Sequence, residues 1–339
     1  MLRSFAHPAP LIDGASILVT GGTGSFGQRI VATLLSRHKP KRVIVFSRDE
    51  QKHYDMAQAF RPADHPNLRF FIGDVRDMDR LEMAMREADF VIHAAALKHV
   101  PAAEYNPFEC IRTNVHGAEN VVGAALRCGV KRVVALSTDK AVNPINLYGA
   151  SKLAADKIFI AANNLAGSLP TRFSVVRYGN VVGSRGSVVP LYRRLISDGA
   201  KSLPVTDARM TRFWVTLQQG VDFVLASLAM MHGGEIFVPK LPSMKIVDLA
   251  RLMAPSLKHE IVGIRPGEKL HEALLTEDDA RTAFALKDRF VIEPPFAFWS
   301  RERYLDAGIE TLPEGFRYTS DNNAEWLDEA TFRNVLTEL

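Results

Sequence analysis

The sequence predicts an α/β fold: a Rossmann-type, doubly wound parallel sheet with a smaller, mixed α/β substrate-binding lobe. Short β-branched runs at 16–19, 42–46, 68–72, 90–93, 132–136 and 173–176 carry the prediction first. Between them lie segments with helical spacing of apolar residues, such as 28–36 and 114–128. Strands separated by helices mean βαβ units, a parallel sheet and right-handed crossovers. The strands are almost continuously apolar, which suits a sheet buried on both faces. The third observation is a glycine-rich turn between the first strand and the first helix.

Length and composition narrow the class. The chain has 339 residues, 47% hydrophobic and 24% charged. This is globular composition, and it excludes a disordered chain. The length suits one large domain or two interleaved ones. We expect a nucleotide-binding domain from 1–180 plus 213–240, where the helix and strand pattern returns. Segments 181–212 and 241–339, richer in Gly, Pro and charge, should form the second lobe. The two cysteines, Cys110 and Cys128, exclude a disulfide scaffold and fit a reducing compartment. Lys plus Arg is 42 against 38 for Asp plus Glu, a net +4. No basic stripe or aromatic platform calls for nucleic acid. The best candidate for an apolar span, 223–231, is nine residues long and reads as a buried helix segment, so no membrane span is expected. The amino-terminal segment lacks a signal-like apolar core, and the expected location is the cytoplasm.

The elements, taken in order, build a dinucleotide site. The first strand runs into TGGTGSFG at 20–27. Gly21, Gly24 and Gly27 suit a tight turn that brings a pyrophosphate onto backbone N–H groups at a helix N-terminus. Thr23, Ser25 and Phe26 belong to the same loop. The second strand ends in Ser47, Arg48 and Asp49. An NAD site usually has a carboxylate here for the ribose, whereas a guanidinium matches a 2′-phosphate. Ser47 and Arg48 therefore favour NADP, and Asp49 leaves NAD open. After the third strand, Asp74 and Val75 suit the adenine amino group and ring. After the fourth, Ala94, Ala95 and Ala96 let the backbone approach ribose and pyrophosphate.

The fifth strand ends in Ser137-Thr138-Asp139-Lys140, and YGASK follows at 148–152. Tyr148 and Lys152, four residues apart, share a helix face. A tyrosine serves as a base when its pKa falls, and an ammonium nearby favours the phenolate. The pair suits proton removal from a sugar hydroxyl while hydride leaves for the cofactor.

With TGGTGSFG, GDVRD, the helix bearing Asn114, STDK, YGASK and RYGNVVG in place, the chain resembles an extended short-chain dehydrogenase/reductase over nearly its whole length. Within that superfamily it is similar to the inverting UDP-N-acetylglucosamine 4,6-dehydratases that open the route to pseudaminic acid. SRDE, ALKHVPAAEYNP, STDKAVNPINLYGASKL, RMTRFWV, IRPGEKLHE and FRYTSDNNAEWL carry this likeness. Related hexose dehydratases acting on dTDP-glucose carry Asp-Glu where this chain has Asp139-Lys140. The larger membrane-anchored relatives carry Met where it has Tyr148.

The resemblance implies roles. Tyr148 takes the 4-hydroxyl proton and Thr138 bonds the same oxygen. Lys140, if neutral, removes the C5 proton. Asp139, if protonated, helps the C6 hydroxyl leave as water. Lys98 and His99 border the sugar, and Asn180 meets a phosphate or sugar oxygen. Arg209, Arg212, Arg265 and Glu268 are candidates for the diphosphate and ribose of UDP-N-acetylglucosamine. No metal is expected, since no His, Asp and Glu spacing suits one. Relatives assemble as dimers or hexamers, which implies a homo-oligomer. The alternatives are a UDP-sugar 4-epimerase, a C5-epimerase, or a non-catalytic NADP-binding sensor.

Overall fold

The computed structural model describes residues 3–5, 10–61, 63–184 and 186–337. Its first half runs β1 (Ser16–Thr20), α1 (Ser25–Arg37), β2 (Arg42–Ser47), α2 (Glu50–Ala59), β3 (Leu68–Ile72), α3 (Met78–Met85) and β4 (Phe90–His93). Short helices α4 (Val100–Tyr105) and α5 (Pro107–Ile111) lead through a π-helical turn, Arg112–His116, into α6 (Gly117–Arg127). Then come β5 (Arg132–Thr138), α7 (Leu147–Leu165) and β6 (Arg172–Tyr178). The strands lie parallel in the order β3-β2-β1-β4-β5-β6. All five residues of β1 and all four of β4 are buried, as expected for a sheet covered on both faces. Order reverses between β1 and β4, and the crevice at their carboxyl ends is where such a sheet binds ligands.

The chain next forms β7 (Asn180–Val181), α8 (Val188–Ser197), β8 (Ser202–Val205), β9 (Thr211–Val215), α9 (Leu217–Met230) and β10 (Ile236–Pro239). β10 joins the large sheet parallel to β6. The apolar run at 223–231 falls almost wholly in α9, packed under that sheet. No described helix is long and apolar enough to cross a membrane. The remaining elements are β11 (Ser243–Lys245), α10 (Ile246–Met253), β12 (Lys258–Ile261), β13 (Ala273–Leu275), α11 (Glu277–Ala280), β14 (Ala283–Ala285), β15 (Arg289–Ile292), β16 (Glu310–Thr311), β17 (Tyr318–Thr319) and α12 (Glu329–Thr337).

The division expected at 241 differs from the observed packing. β15, β14 and β16 extend the large sheet antiparallel beyond β10, so this stretch belongs to the nucleotide-binding core. A buried carboxylate fastens it there. Glu235 accepts bonds from Ser174 Oγ (2.6 Å), Gly233 N (2.8 Å), Tyr304 OH (2.9 Å) and Trp299 Nε1 (3.0 Å). With its oxygens so satisfied, Glu235 is tolerated with no exposure. The second lobe keeps a core of its own around Val189, Tyr192, Leu203, Trp214, Leu249 and Phe332. β9 stands between the cores: Phe213 and Val215 face the large one, and Trp214 the small one.

Candidate active site

Two glycines set the shape of the nucleotide end. Gly21 has φ +65°, and a side chain there would meet Ala95 N at 2.9 Å. A methyl group on Gly27 would lie 2.5 Å from the Gly21 carbonyl oxygen. The loop after β1 is thus pressed against the loop after β4 and against α1, with room only for hydrogen at these two positions. Beside it opens a cavity of about 650 Å³. Every residue assigned above to the cofactor lines it, from Gly21 to Ala96. These residues fit a dinucleotide: a glycine-lined loop at a helix N-terminus, cations at the end of β2, and small residues after β4.

Asp49 turns away from this cavity. Its Oδ1 accepts the Lys52 N–H at 3.0 Å and caps α2, and Lys52 Nζ lies 2.6 Å from Oδ2. These bonds from Lys52 hold its carboxyl below the usual carboxylate value. Ser47, Arg48 and Lys52 line the cavity in its place. Ser47 Oγ bonds Thr23 Oγ1 at 2.8 Å, and Arg48 Nη1 stands 3.7 Å from Asp74 Oδ2.

The catalytic candidates converge at the end of β5. Thr138, Asp139, Lys140, Tyr148 and Lys152 all line the same cavity, as do Lys98, His99 and Asn180. Asn146 caps α7 by accepting the Gly149 N–H at 2.8 Å, which fixes the turn carrying Tyr148. Asn114, in the π-helical turn, bonds both backbone groups of Leu97 (2.8 and 2.9 Å) and Ser151 Oγ (2.9 Å). It ties the loop before Lys98 to the helix bearing Tyr148 and Lys152.

Two electrostatic expectations change. Burial pushes the Tyr148 phenol up to about 12, against the opposing pull of Lys140 and a bond from Thr138. Among the protein groups alone, loss of hydration outweighs the nearby cations, so the lysines by themselves do not lower the tyrosine. Burial also lowers Lys152, while Asp156 one turn further along α7 works to raise it. Lys140 stands between two carboxylates. Its Nζ donates to Asp139 Oδ1 at 3.0 Å and lies 3.4 Å from Glu272 Oε1. Burial alone would lower the Lys140 pKa, but Asp139 and Glu272 overcome it and hold the ammonium above its ordinary value.

The structure does not bring four predicted residues into the cavity. Arg209 pairs with Asp207 at 2.8 Å on an exposed turn. Arg212 is buried, donating to the carbonyls of Thr211 (2.7 Å), Lys269 (2.9 Å) and Leu270 (3.0 Å). With those donors used, it is not free to clamp a diphosphate. Arg265 and Glu268 pair with each other at 3.6 Å. Sequence reasoning missed Glu272, Lys52 and Asp156. Lys52 had a readable signal, one helical turn beyond Arg48. Glu272 closes the IRPGEKLHE stretch, but nothing local pointed to its contact with Lys140, which is remote in the chain. Among the described residues, no group of three or more His, Cys, Asp or Glu is arranged to hold a metal.

A parallel sheet in this order, with a glycine-lined cavity and a buried Tyr148–Lys152 pair, defines a short-chain dehydrogenase/reductase of the extended type. The chain belongs to the polysaccharide biosynthesis protein family, whose match spans residues 17–294. It is 56% identical to an inverting UDP-N-acetylglucosamine 4,6-dehydratase from Campylobacter jejuni subsp. jejuni serotype O:2, over 96% of this chain and 98% of that one. The X-ray structure of Pen from Bacillus thuringiensis matches with TM-score 0.87 and 38% identity, over 97% of this chain and 98% of that one. DesIV, a dTDP-glucose 4,6-dehydratase from Streptomyces venezuelae crystallised with NAD and TYD, matches with TM-score 0.65 and 28% identity, over 75% of this chain and 86% of that one.

Proposed function

We propose that this chain is an NADP-dependent UDP-N-acetylglucosamine 4,6-dehydratase that inverts C5. Its product would be UDP-2-acetamido-2,6-dideoxy-β-L-arabino-hexos-4-ulose, the first step toward a pseudaminic-acid-type sugar. The observation that carries the reading is the meeting of Asp139 and Lys140 with Tyr148 and Lys152 in one cavity. Its 56% identity to the Campylobacter enzyme supports UDP-N-acetylglucosamine as the sugar. NADP rather than NAD is supported by Ser47, Arg48 and Lys52 at the ribose end, with Asp49 turned to cap α2.

When bound along the Gly21–Gly27 loop, the nicotinamide cofactor supplies hydride acceptance at C4 and hydride return at C6. Tyr148, once ionised, takes the 4-hydroxyl proton, and Thr138 orients that oxygen. The ketone acidifies the C5 hydrogen, which Lys140 removes once neutral. Asp139 protonates the C6 hydroxyl as it leaves. One proton transfer across the 3.0 Å Lys140–Asp139 bond creates both required forms together. Asn180 Oδ1 and Ser187 Oγ are buried without a hydrogen-bond partner, and both residues line the cavity. Such orphaned polar atoms await ligand groups, and we assign them to the sugar nucleotide.

Incubation with UDP-N-acetylglucosamine should yield a product lighter by one water. In deuterated water that product should carry deuterium at C5. Asp139→Asn should still reduce bound cofactor but release little dehydrated product. A wild-type product of unchanged mass would replace this reading with the epimerase one.

A further inference from the structure

Glu272 is a buried carboxylate with no place in the steps above. It does not line the cavity; Lys140 does. Its Oε1 lies 3.4 Å from Lys140 Nζ and 3.7 Å from Arg212 Nε, and its Oε2 is buried without a hydrogen-bond partner. The backbone that carries it is clamped. Glu272 N donates to Ser320 Oγ at 2.9 Å, and Ser320 N donates to Glu272 O at 2.8 Å. Arg212 is itself locked onto three carbonyls. The carboxylate is therefore held at a set distance from the ammonium.

We propose that Glu272 is a positioning residue that biases the shared proton of the Asp139–Lys140 pair toward the lysine. The proposal rests on the dehydratase reading and deepens it. Elimination needs Lys140 as a free amine and Asp139 as an acid. The pair reaches that state when one Nζ–H bond breaks and one Asp139 O–H bond forms, with no change in total charge. A second anion 3.4 Å from Nζ opposes this transfer, because it favours the ammonium over the amine. Other charged or titratable groups also face Lys140. They are Tyr148 on α7, Lys98 after β4, Arg212 on β9 and Lys269 before β13. Lys269 donates to the Val142 carbonyl, which brings the strand-five loop and the Glu272 segment together. Among the described residues, the anions in ion-pair contact with Lys140 are Asp139 and Glu272.

The test is a pair of pH titrations on E272Q and E272D. In the first, water loss and C5 deuteration of UDP-N-acetylglucosamine are followed against pH. E272Q should move the rising limb down by about one pH unit, a tenfold gain on its acidic side, while still reducing bound cofactor. The second uses no sugar: acylation of Lys140 by a small amine-reactive reagent is followed against pH by peptide mass spectrometry. Its midpoint should fall in E272Q and fall by less in E272D. An unmoved midpoint, or equal loss of cofactor reduction and dehydration, would overturn the role of Glu272. If E272Q does not fold, an E272D midpoint equal to that of the wild type overturns it alone. Failure of the wild type to dehydrate the sugar sinks the functional reading instead, and the sugar-free titration still decides Glu272.

Discussion

Asp49 and Arg48 are adjacent in sequence, yet the local helix start gives them opposite tasks. Asp49 satisfies the Lys52 N–H at the beginning of α2, a common use of aspartate before a helix. That bond holds the Asp49 carboxylate at the helix start, while Arg48 lines the cavity wall. Arg48→Ala should weaken NADP binding by about tenfold, the scale of one charge-assisted hydrogen bond, and leave NAD nearly unchanged. Titration of both cofactors checks this, and equal weakening of the two would show that Arg48 does not read the 2′-phosphate. Candidate site residues at strand ends were legible one by one. The protonation states of Tyr148 and Lys140 were not, since they depend on burial and on partners distant in the chain.

At the scale of elements, the first β–loop–α unit is tightly constrained by its sequence. Gly27 lies in the first turn of α1, where the helix touches the backbone of the loop before it, and there is no space for a methyl group. Gly27→Ala must push α1 away from β1. The expected cost is ~1–3 kcal/mol of stability, with weaker cofactor binding. Urea unfolding and cofactor titration measure both, and unchanged values would show that the loop adapts freely. The π-helical turn before α6 is a different case. The sequence suggested one helix over 114–128, but the turn at Arg112–His116 widens to aim Asn114 at Leu97 and Ser151. Such turns recur at functional sites, and helical periodicity does not reveal them.

The whole molecule buries several tyrosines, and this has a pH consequence. Tyr192 is buried in the second lobe, its hydroxyl donating to the Pro204 carbonyl at 2.7 Å. Burial raises its phenol from 10.0 to about 12. A folded pKa above the unfolded one means the stabilisation is complete below pH 10 and is lost as pH rises toward 12. Tyr192→Phe loses a hydrogen bond, about 1 kcal/mol near neutrality. The gap between wild type and variant should then narrow as pH climbs from 10 toward 12, because the variant has no phenol to ionise. Urea unfolding across that range reads the gap, and a constant difference would contradict the assignment.

The alternation of β1 to β6 with helices, the glycine loop and the Tyr148–Lys152 pair follow from signals that are local in the chain. Periodicity, turn chemistry and four-residue spacing act over a few residues, so they can be read in order. The antiparallel extension through β15, β14 and β16 was invisible, because strand pairing joins segments with no common local pattern. Arg212 shows the same limit. Its sequence setting suggests a free cation for diphosphate, yet the carbonyls of Lys269 and Leu270 take its donors. Glu272 shows it most clearly, since its contact with Lys140 exists only after the second half of the chain folds back over the end of β5. Local chemistry determined which groups this protein carries. Only long-range packing decided which of them meet, how deeply they are buried, and so which hold their protons.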